Sequence, residues 1–307
     1  MPKKKELKRS LKSSKFRRFL NILLILCIGA SVAAIAYVLT VQEEKPVAVE
    51  THKAEPAREK IVKIMPGFEK EVVPPTDKIT PPRKRIAIVI DDIGYDLRPV
   101  RNLMEIDADI TFAVLPFLAY SRQSAEMLNK KNCEILLHLP MEPVSYPAEK
   151  PGEGALFTDM NDMEILHQLG KNIEAVPYIA GVNNHMGSKF MQDRGKLAVV
   201  FAQLKSQDLF FIDSRTVPDS EAVAVAREIG LSIAERKMFI DNKRDYDEIY
   251  KNLMSVALNP EDNSPVILIG HPYPETIRAI RDAAGQLRKE GIVIVPVSQI
   301  VKSKTRP

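Results

Sequence analysis

The sequence predicts an α/β body built on a parallel sheet, and three observations lead to that expectation. Short apolar runs alternate with amphipathic stretches from Arg85 onward, the pattern of parallel strands joined by crossover helices. The run over 86–90, Ile-Ala-Ile-Val-Ile, has no polar residue, as expected of a strand covered on both faces. Seven or eight such units over about 220 residues suit a (β/α) barrel, complete or not. A doubly wound open sheet is the alternative. In either fold the functional site forms at the carboxyl ends of the strands.

The predicted strands cover 86–90, 110–115, 134–139, 179–183, 209–212, 231–234, 266–269 and 292–295. Helical periodicity is clearest over 121–131, 162–175, 195–206, 220–229, 246–258 and 274–290. Asp219 or Ser220, with Glu221 behind, reads as a helix start. Gly291 stands at a capping position after the 274–290 helix.

The amino terminus has a different character. Residues 1–18 carry nine Lys/Arg and one Glu, a net of +8, whereas the whole chain is +4. Everything after residue 18 therefore sums to −4, so the body has no basic excess and a nucleic-acid partner is not expected. No charged residue falls between Phe19 and Val41, which is long enough to cross a bilayer as a helix. Basic residues precede it and Glu43 and Glu44 follow. The positive-inside rule then puts the amino terminus in the cytoplasm and the body beyond the inner membrane. A cleaved signal peptide, using the small residues at 33–36, is the alternative. The expected organisation is a cytoplasmic tail 1–18, a transmembrane signal anchor 19–42, a Pro- and charge-rich linker 43–84, a β/α barrel body 85–302 and a tail 303–307. The only cysteines, Cys27 and Cys133, are divided between span and body, so no disulfide within the body is expected. Cys133 reads as a buried small hydrophobe.

Several predicted strands end in chemistry. Asp91 and Asp92 close the first, and on an extended backbone they would point to opposite faces. His138 lies near the end of the third, His185 follows the fourth in what looks like an irregular loop, Asp213 ends the fifth and His271 follows the run over 266–269. Three of the chain's five histidines thus fall at one sheet edge. Each residue alone has a plainer reading: Asp91–Asp92 or Asp213 as a turn or helix cap, His138 as a hydrogen-bonded core residue, His271 as a strand exit before Pro272. As a set they suit Zn2+ or another divalent transition metal. Two imidazoles and a carboxylate leave a position open for water, whose pKa the metal lowers. A further carboxylate can take the proton and a further imidazole can protonate a leaving amine. Glu142, four residues after His138, is a weaker candidate ligand.

These motifs resemble, in order, those of the polysaccharide deacetylases, and most closely their divergent exported or membrane-anchored bacterial branch. The resemblance runs from Lys84 to about Lys302. The family's Thr-Phe-Asp-Asp-Gly segment is met by Val89-Ile90-Asp91-Asp92-Ile93-Gly94, and its next strand by Ile110-Thr111-Phe112-Ala113-Val114. His138 fits the first His of the His-x-x-x-His motif, but position 142 is Glu. Val182-Asn183-Asn184-His185-Met186-Gly187 replaces the Arg-x-Pro-x-Gly segment, so His185 is expected to supply the missing ligand. Ile212-Asp213-Ser214-Arg215 is similar to the fourth motif and Ile267-Leu268-Ile269-Gly270-His271 to the closing Leu-Leu-His segment.

The resemblance implies an irregular seven- to eight-stranded (β/α) barrel of the polysaccharide deacetylase and glycoside hydrolase type. It further implies Asp92, His138 and His185 as metal ligands, Asp91 as general base, His271 as general acid and Asp213 as a further catalytic residue. The expected activity is N-deacetylation of an envelope polysaccharide or peptidoglycan-type substrate. A non-catalytic carbohydrate-binding or scaffold protein on the same fold is the alternative, and an esterase on the same site is a third possibility.

Overall fold

The computed structural model describes residues 83–304 apart from Pro260. The predicted tail, membrane span and nearly all of the linker lie outside the described residues. Among the described residues no helix is long and apolar enough to cross a membrane.

The order is β1 (Lys84–Ile93), α1 (Leu97–Met104), β2 (Thr111–Val114), α2 (Ser121–Asn129), β3 (Glu134–Met141), α3 (Asp162–Ala175), β4 (Gly181–Met186), α4 (Arg194–Ser206), β5 (Phe210–Asp213), α5 (Ala222–Ile229), β6 (Ile233–Glu235), β7 (Met238–Phe239), α6 (Tyr246–Ala257), β8 (Val266–Gly270), α7 (Pro274–Lys289), β9 (Ile292–Ile294) and α8 (Val297–Lys304). Helix starts follow from short polar side chains. Asn161 and Glu164 form a reciprocal capping box on α3, and Asp193 and Asp245 accept backbone N–H bonds at the starts of α4 and α6, each stabilising its helix by about 1 kcal/mol. α5 begins at Ala222, without a side-chain cap.

All ladders are parallel and run β6-β5-β4-β3-β2-β1-β8-β7. β6 and β7 make no ladder with each other, so the barrel is a curled, open one. β8 occupies one edge of β1 over Ile86–Ile90. β9 therefore pairs with the other edge at Lys84–Ile86, before β2 takes that edge over from Val89. The expected barrel class is borne out, with β7, α1 and α8 added to the expected elements. β1 is longer than the predicted run over 86–90, extending from Lys84 to Ile93. Lys84 is the first residue of β1, buried, with Nζ donating to the carbonyls of Val256 and Asp262 at 2.8 and 2.6 Å.

Two apolar layers follow from strand alternation. Ile86, Ile88 and Ile90 face outward into the layer shared with the helices. Ala87 and Val89 face inward with Ala113, Leu136, Ile212, Ile267 and Ile269. Val297, Ile300 and Val301 of α8 join this inner cluster, so the last described helix plugs the barrel at the amino-terminal ends of its strands. Gly181 sits on the inner face of β4, where a Cβ would lie 2.6 Å from the Phe210 ring. The absent side chain lets that ring fill the interior. With the lower half filled by apolar side chains, the inward positions at the carboxyl ends are left for polar ones.

Candidate metal centre and proton-transfer groups

β1 delivers both aspartates to the barrel mouth through a bulge. Ile90 pairs with Phe112 and Ile93 with Val114, so three steps along β1 match two along β2. Asp91 continues the inward set of Ala87 and Val89. Asp92 has φ 58°, a left-handed conformation that Asp tolerates better than most residues. The bulge re-aims its side chain inward. The expectation that the pair would face opposite ways is therefore corrected, because alternation fails where the backbone is not extended.

β3 and β4 supply the imidazoles. His138 pairs in register with Asn183, and Pro140 with His185. His138, Asn183 and His185 thus project from the same face. His185 belongs to β4 rather than to an irregular loop, which corrects the second expectation.

Three atoms converge: Asp92 Oδ1 lies 3.3 Å from His138 Nε2 and 3.2 Å from His185 Nδ1, and the two nitrogens are 3.1 Å apart. Asp92 Oδ1 is buried without a well-formed hydrogen bond. His138 Nδ1 meets Asn183 Oδ1 at 2.9 Å while Asn183 Nδ2 donates to Asp91 Oδ1 at 2.8 Å. That amide orientation makes Nδ1 the protonated nitrogen of neutral His138 and leaves a lone pair on Nε2. The edge of a tetrahedron of zinc ligands is about 3.3 Å for bonds of about 2.0–2.1 Å. The triangle of 3.1, 3.2 and 3.3 Å fits three of its corners. These residues fit a divalent cation, and the cluster is a possible metal site.

Electrostatics agree. Burial resists ionisation of Asp92, but His138 and His185 override it and hold the carboxyl far below the usual range. Burial, joined by the charge of Asp92, pushes Asp91 upward against the pull of His138, His271 and the Asn183 amide. In His138 burial favours the neutral ring, yet Asp91 and Asp92 raise its pKa above the ordinary value. His271 is treated the same way, chiefly by Asp241.

His271 follows β8 and is oriented by Asp241, just beyond β7. Asp241 Oδ1 holds Nδ1 at 3.0 Å, and Oδ2 accepts from the His271 backbone N–H at 2.6 Å and the Thr276 hydroxyl at 2.8 Å. Nε2 faces the cavity, 4.0 Å from Asp92 Oδ2. The imidazole is stacked between Phe239 and Tyr273, with centroids at 5.7 and 5.5 Å. The cavity, of about 400 Å³, is lined by Asp91, His138, His185, His271, Phe239 and Tyr273 among others.

Five of the six expected site residues, Asp91, Asp92, His138, His185 and His271, are brought together. Asp213 is not brought among them. Its carboxylate accepts from Arg215 N–H at 2.7 Å and from the Ser220 hydroxyl at 2.7 Å, closing the turn after β5. Glu142 does not reach the cluster either. It ties Lys189 (2.8 Å) to Thr158, accepting from its N–H at 2.8 Å and its hydroxyl at 2.7 Å, and so joins two loops. Cys133 is half-buried, and burial pushes its thiol up.

Sequence reasoning missed Asn183 and Asp241 as functional residues. Asp241 had a signal, since Met238-Phe239-Ile240 is a third apolar run closed by Asp, but its strand is only two residues long. Asn183 had a weaker one, a polar side chain inside a predicted buried strand, two residues before His185.

An open parallel barrel with a carboxylate–imidazole cluster at its carboxyl-terminal mouth defines a deacetylase-like (β/α) barrel protein. The family model for divergent polysaccharide deacetylases matches residues 88–301, and the chain belongs to that family. It is 32% identical over 218 residues to the protein YibQ of Escherichia coli K12, covering 71% of this chain and 67% of that one. It is 30% identical over 199 residues to a Haemophilus influenzae Rd protein, covering 65% and 70%. In fold it is similar to the crystal structure of the protein ATU2773 from Agrobacterium tumefaciens C58, at a TM-score of 0.68 and 21% identity, with 72% of this chain and 90% of that one covered.

Proposed function

We propose that this protein is a metal-dependent hydrolase that removes N-acetyl groups from a polysaccharide of the cell envelope. The observation that carries the reading is the convergence of Asp92 Oδ1, His138 Nε2 and His185 Nδ1 within 4.8 Å of one another, flanked by a buried carboxylate and an oriented imidazole. Asp92, His138 and His185 would hold a divalent transition metal, zinc by its ligand preference, which when bound would lower the pKa of water and polarise an acyl oxygen. Asp91, buried and raised in proton affinity, takes the proton from the attacking water. His271, with Nδ1–H held by Asp241, presents Nε2 to the cavity and delivers a proton to the departing nitrogen. The C–N bond breaks, leaving acetate and a free amine. Phe239 and Tyr273 stack on the His271 ring and keep it in place. In this reading residues 19–42 anchor the chain in the inner membrane, with the amino terminus in the cytoplasm and the barrel on the envelope side.

The test is acetate release by the full-length protein from peptidoglycan fragments and chitooligosaccharides, with and without chelator, alongside the metal content of Asp92→Ala and His138→Ala. Chelator-sensitive release restored by Zn2+, and loss of stoichiometric metal in both variants, are expected. Release indifferent to chelation, or full metal content in both variants, refutes the reading. Glycan binding without acetate release establishes the non-catalytic alternative.

A further inference from the structure

We infer that the sugar accepted by this site carries a carboxylate close to its acetamido group, and that Arg244 is the residue that recognises it. The inference rests on the deacetylase reading above. The loop between β7 and α6 holds five polar residues, 241–245, and four are accounted for or neutral. Asp241 orients His271. Lys243 Nζ pairs with Glu248 at 2.9 Å. Asp245 accepts from the Glu248 N–H at 3.0 Å and so caps α6, and Asn242 carries no charge. Arg244 alone keeps a charge that no acid among the described residues answers. It is exposed, yet it lies in the lining of the catalytic cavity, with its guanidinium carbon 3.6 Å from the Tyr273 ring centroid.

That contact uses the π face of the guanidinium and leaves its in-plane N–H fork free. The fork is the part that grips a carboxylate with two parallel hydrogen bonds. Stacking also fixes the orientation beforehand, which lowers the entropy lost on binding. Tyr273 lies between Arg244 and His271, at 3.6 and 5.5 Å from their centres, so the two are at most about 9 Å apart. That is the reach of one sugar residue and its substituent. An amide nitrogen at His271 and a carboxylate at Arg244 can therefore belong to one ligand. Uncharged glycans leave the guanidinium unanswered.

The test measures binding to the full-length, zinc-loaded protein by titration calorimetry. The probes are a neutral chitotetraose, an N-acetylmuramic acid oligosaccharide with the carboxylate on the same sugar, and an oligosaccharide alternating N-acetylglucosamine with glucuronate. Wild type is expected to prefer one acidic probe over the neutral one by about tenfold, less at high salt. Which acidic probe is preferred tells whether the carboxylate sits on the acetylated sugar or on its neighbour. Arg244→Gln is expected to bring the ratio within about twofold of one, and Arg244→Lys, which keeps the charge but not the fork, to leave an intermediate ratio. A wild-type protein without preference, or an Arg244→Gln protein that keeps it, overturns the inference. Preference that depends on Arg244 without acetate release upholds it and refutes deacetylation. Acetate release from all three probes with a ratio insensitive to Arg244→Gln does the reverse.

Discussion

Replacing Asn183 by alanine tests the assembly of the metal centre without removing a ligand. The amide is fully buried between His138 and Asp91, each 2% exposed, and makes bonds of 2.9 and 2.8 Å to them. Its loss frees the His138 ring to take the other tautomer, with a proton on the nitrogen that should face the metal. It also strips one hydrogen bond from the Asp91 carboxylate. A buried polar group left without its partner costs about 1–3 kcal/mol. Loss of a residue that orients a metal-bound histidine weakens metal affinity about 10–100-fold, or about 1.4–2.7 kcal/mol, so the two magnitudes agree. We expect the zinc dissociation constant of Asn183→Ala, measured by chelator competition on the full-length protein, to rise by that factor. Thermal unfolding in excess chelator separates this from a general loss of fold. An affinity within about twofold of wild type, in a folded variant, would show that Asn183 does not set the tautomer of His138, or that His138 is no ligand.

Zinc affinity should fall about tenfold for each unit of pH below the raised pKa of His138, because the metal must displace that proton; the decline should begin above pH 6.5, and a flat profile between pH 8 and 6 contradicts it. Asp241→Asn should take up metal normally but lose about 10²-fold in turnover, since without the Asp241 charge the doubly protonated ring that gives up its Nε2 proton is no longer favoured; unchanged turnover removes His271 as the acid. The His271 pKa is raised in the folded state, so its bond to Asp241 contributes fully below about pH 6.5 and is lost as pH climbs past the folded value. The stability deficit of metal-free Asp241→Asn should accordingly be larger at pH 6 than at pH 8.5 by urea unfolding, and equal deficits refute the assignment. Gly181→Ala should destabilise by about 1–3 kcal/mol, because its Cβ would lie 2.6 Å from the Phe210 ring, with metal stoichiometry unchanged; wild-type stability in urea shows that the ring can move aside.

Local pattern carried most of the fold. Buried parallel strands are apolar throughout and crossover helices are amphipathic, so 86–90, 134–139 and Asp162–Ala175 were legible from residue type and spacing. Of the elements that escaped, β7 is two residues long and shows no period, and α1 carries Pro99 in its first turn, a residue that reads as a breaker. The identity of the candidate metal ligands was also legible, because a His or Asp closing a buried strand is an unusual residue at a position fixed by the pattern. Tertiary structure alone decided what those residues face. A one-residue bulge turns Asp92 into the same mouth as Asp91, and the β3–β4 register sets Asn183 beside His138. A strand distant in sequence brings Asp241 to His271, while Asp213 and the weaker candidate Glu142 are turned to their own loops. Hydrophobic period is written residue by residue along the chain, but the direction of a side chain at a strand end depends on backbone dihedrals and neighbours that exist only once the barrel has formed.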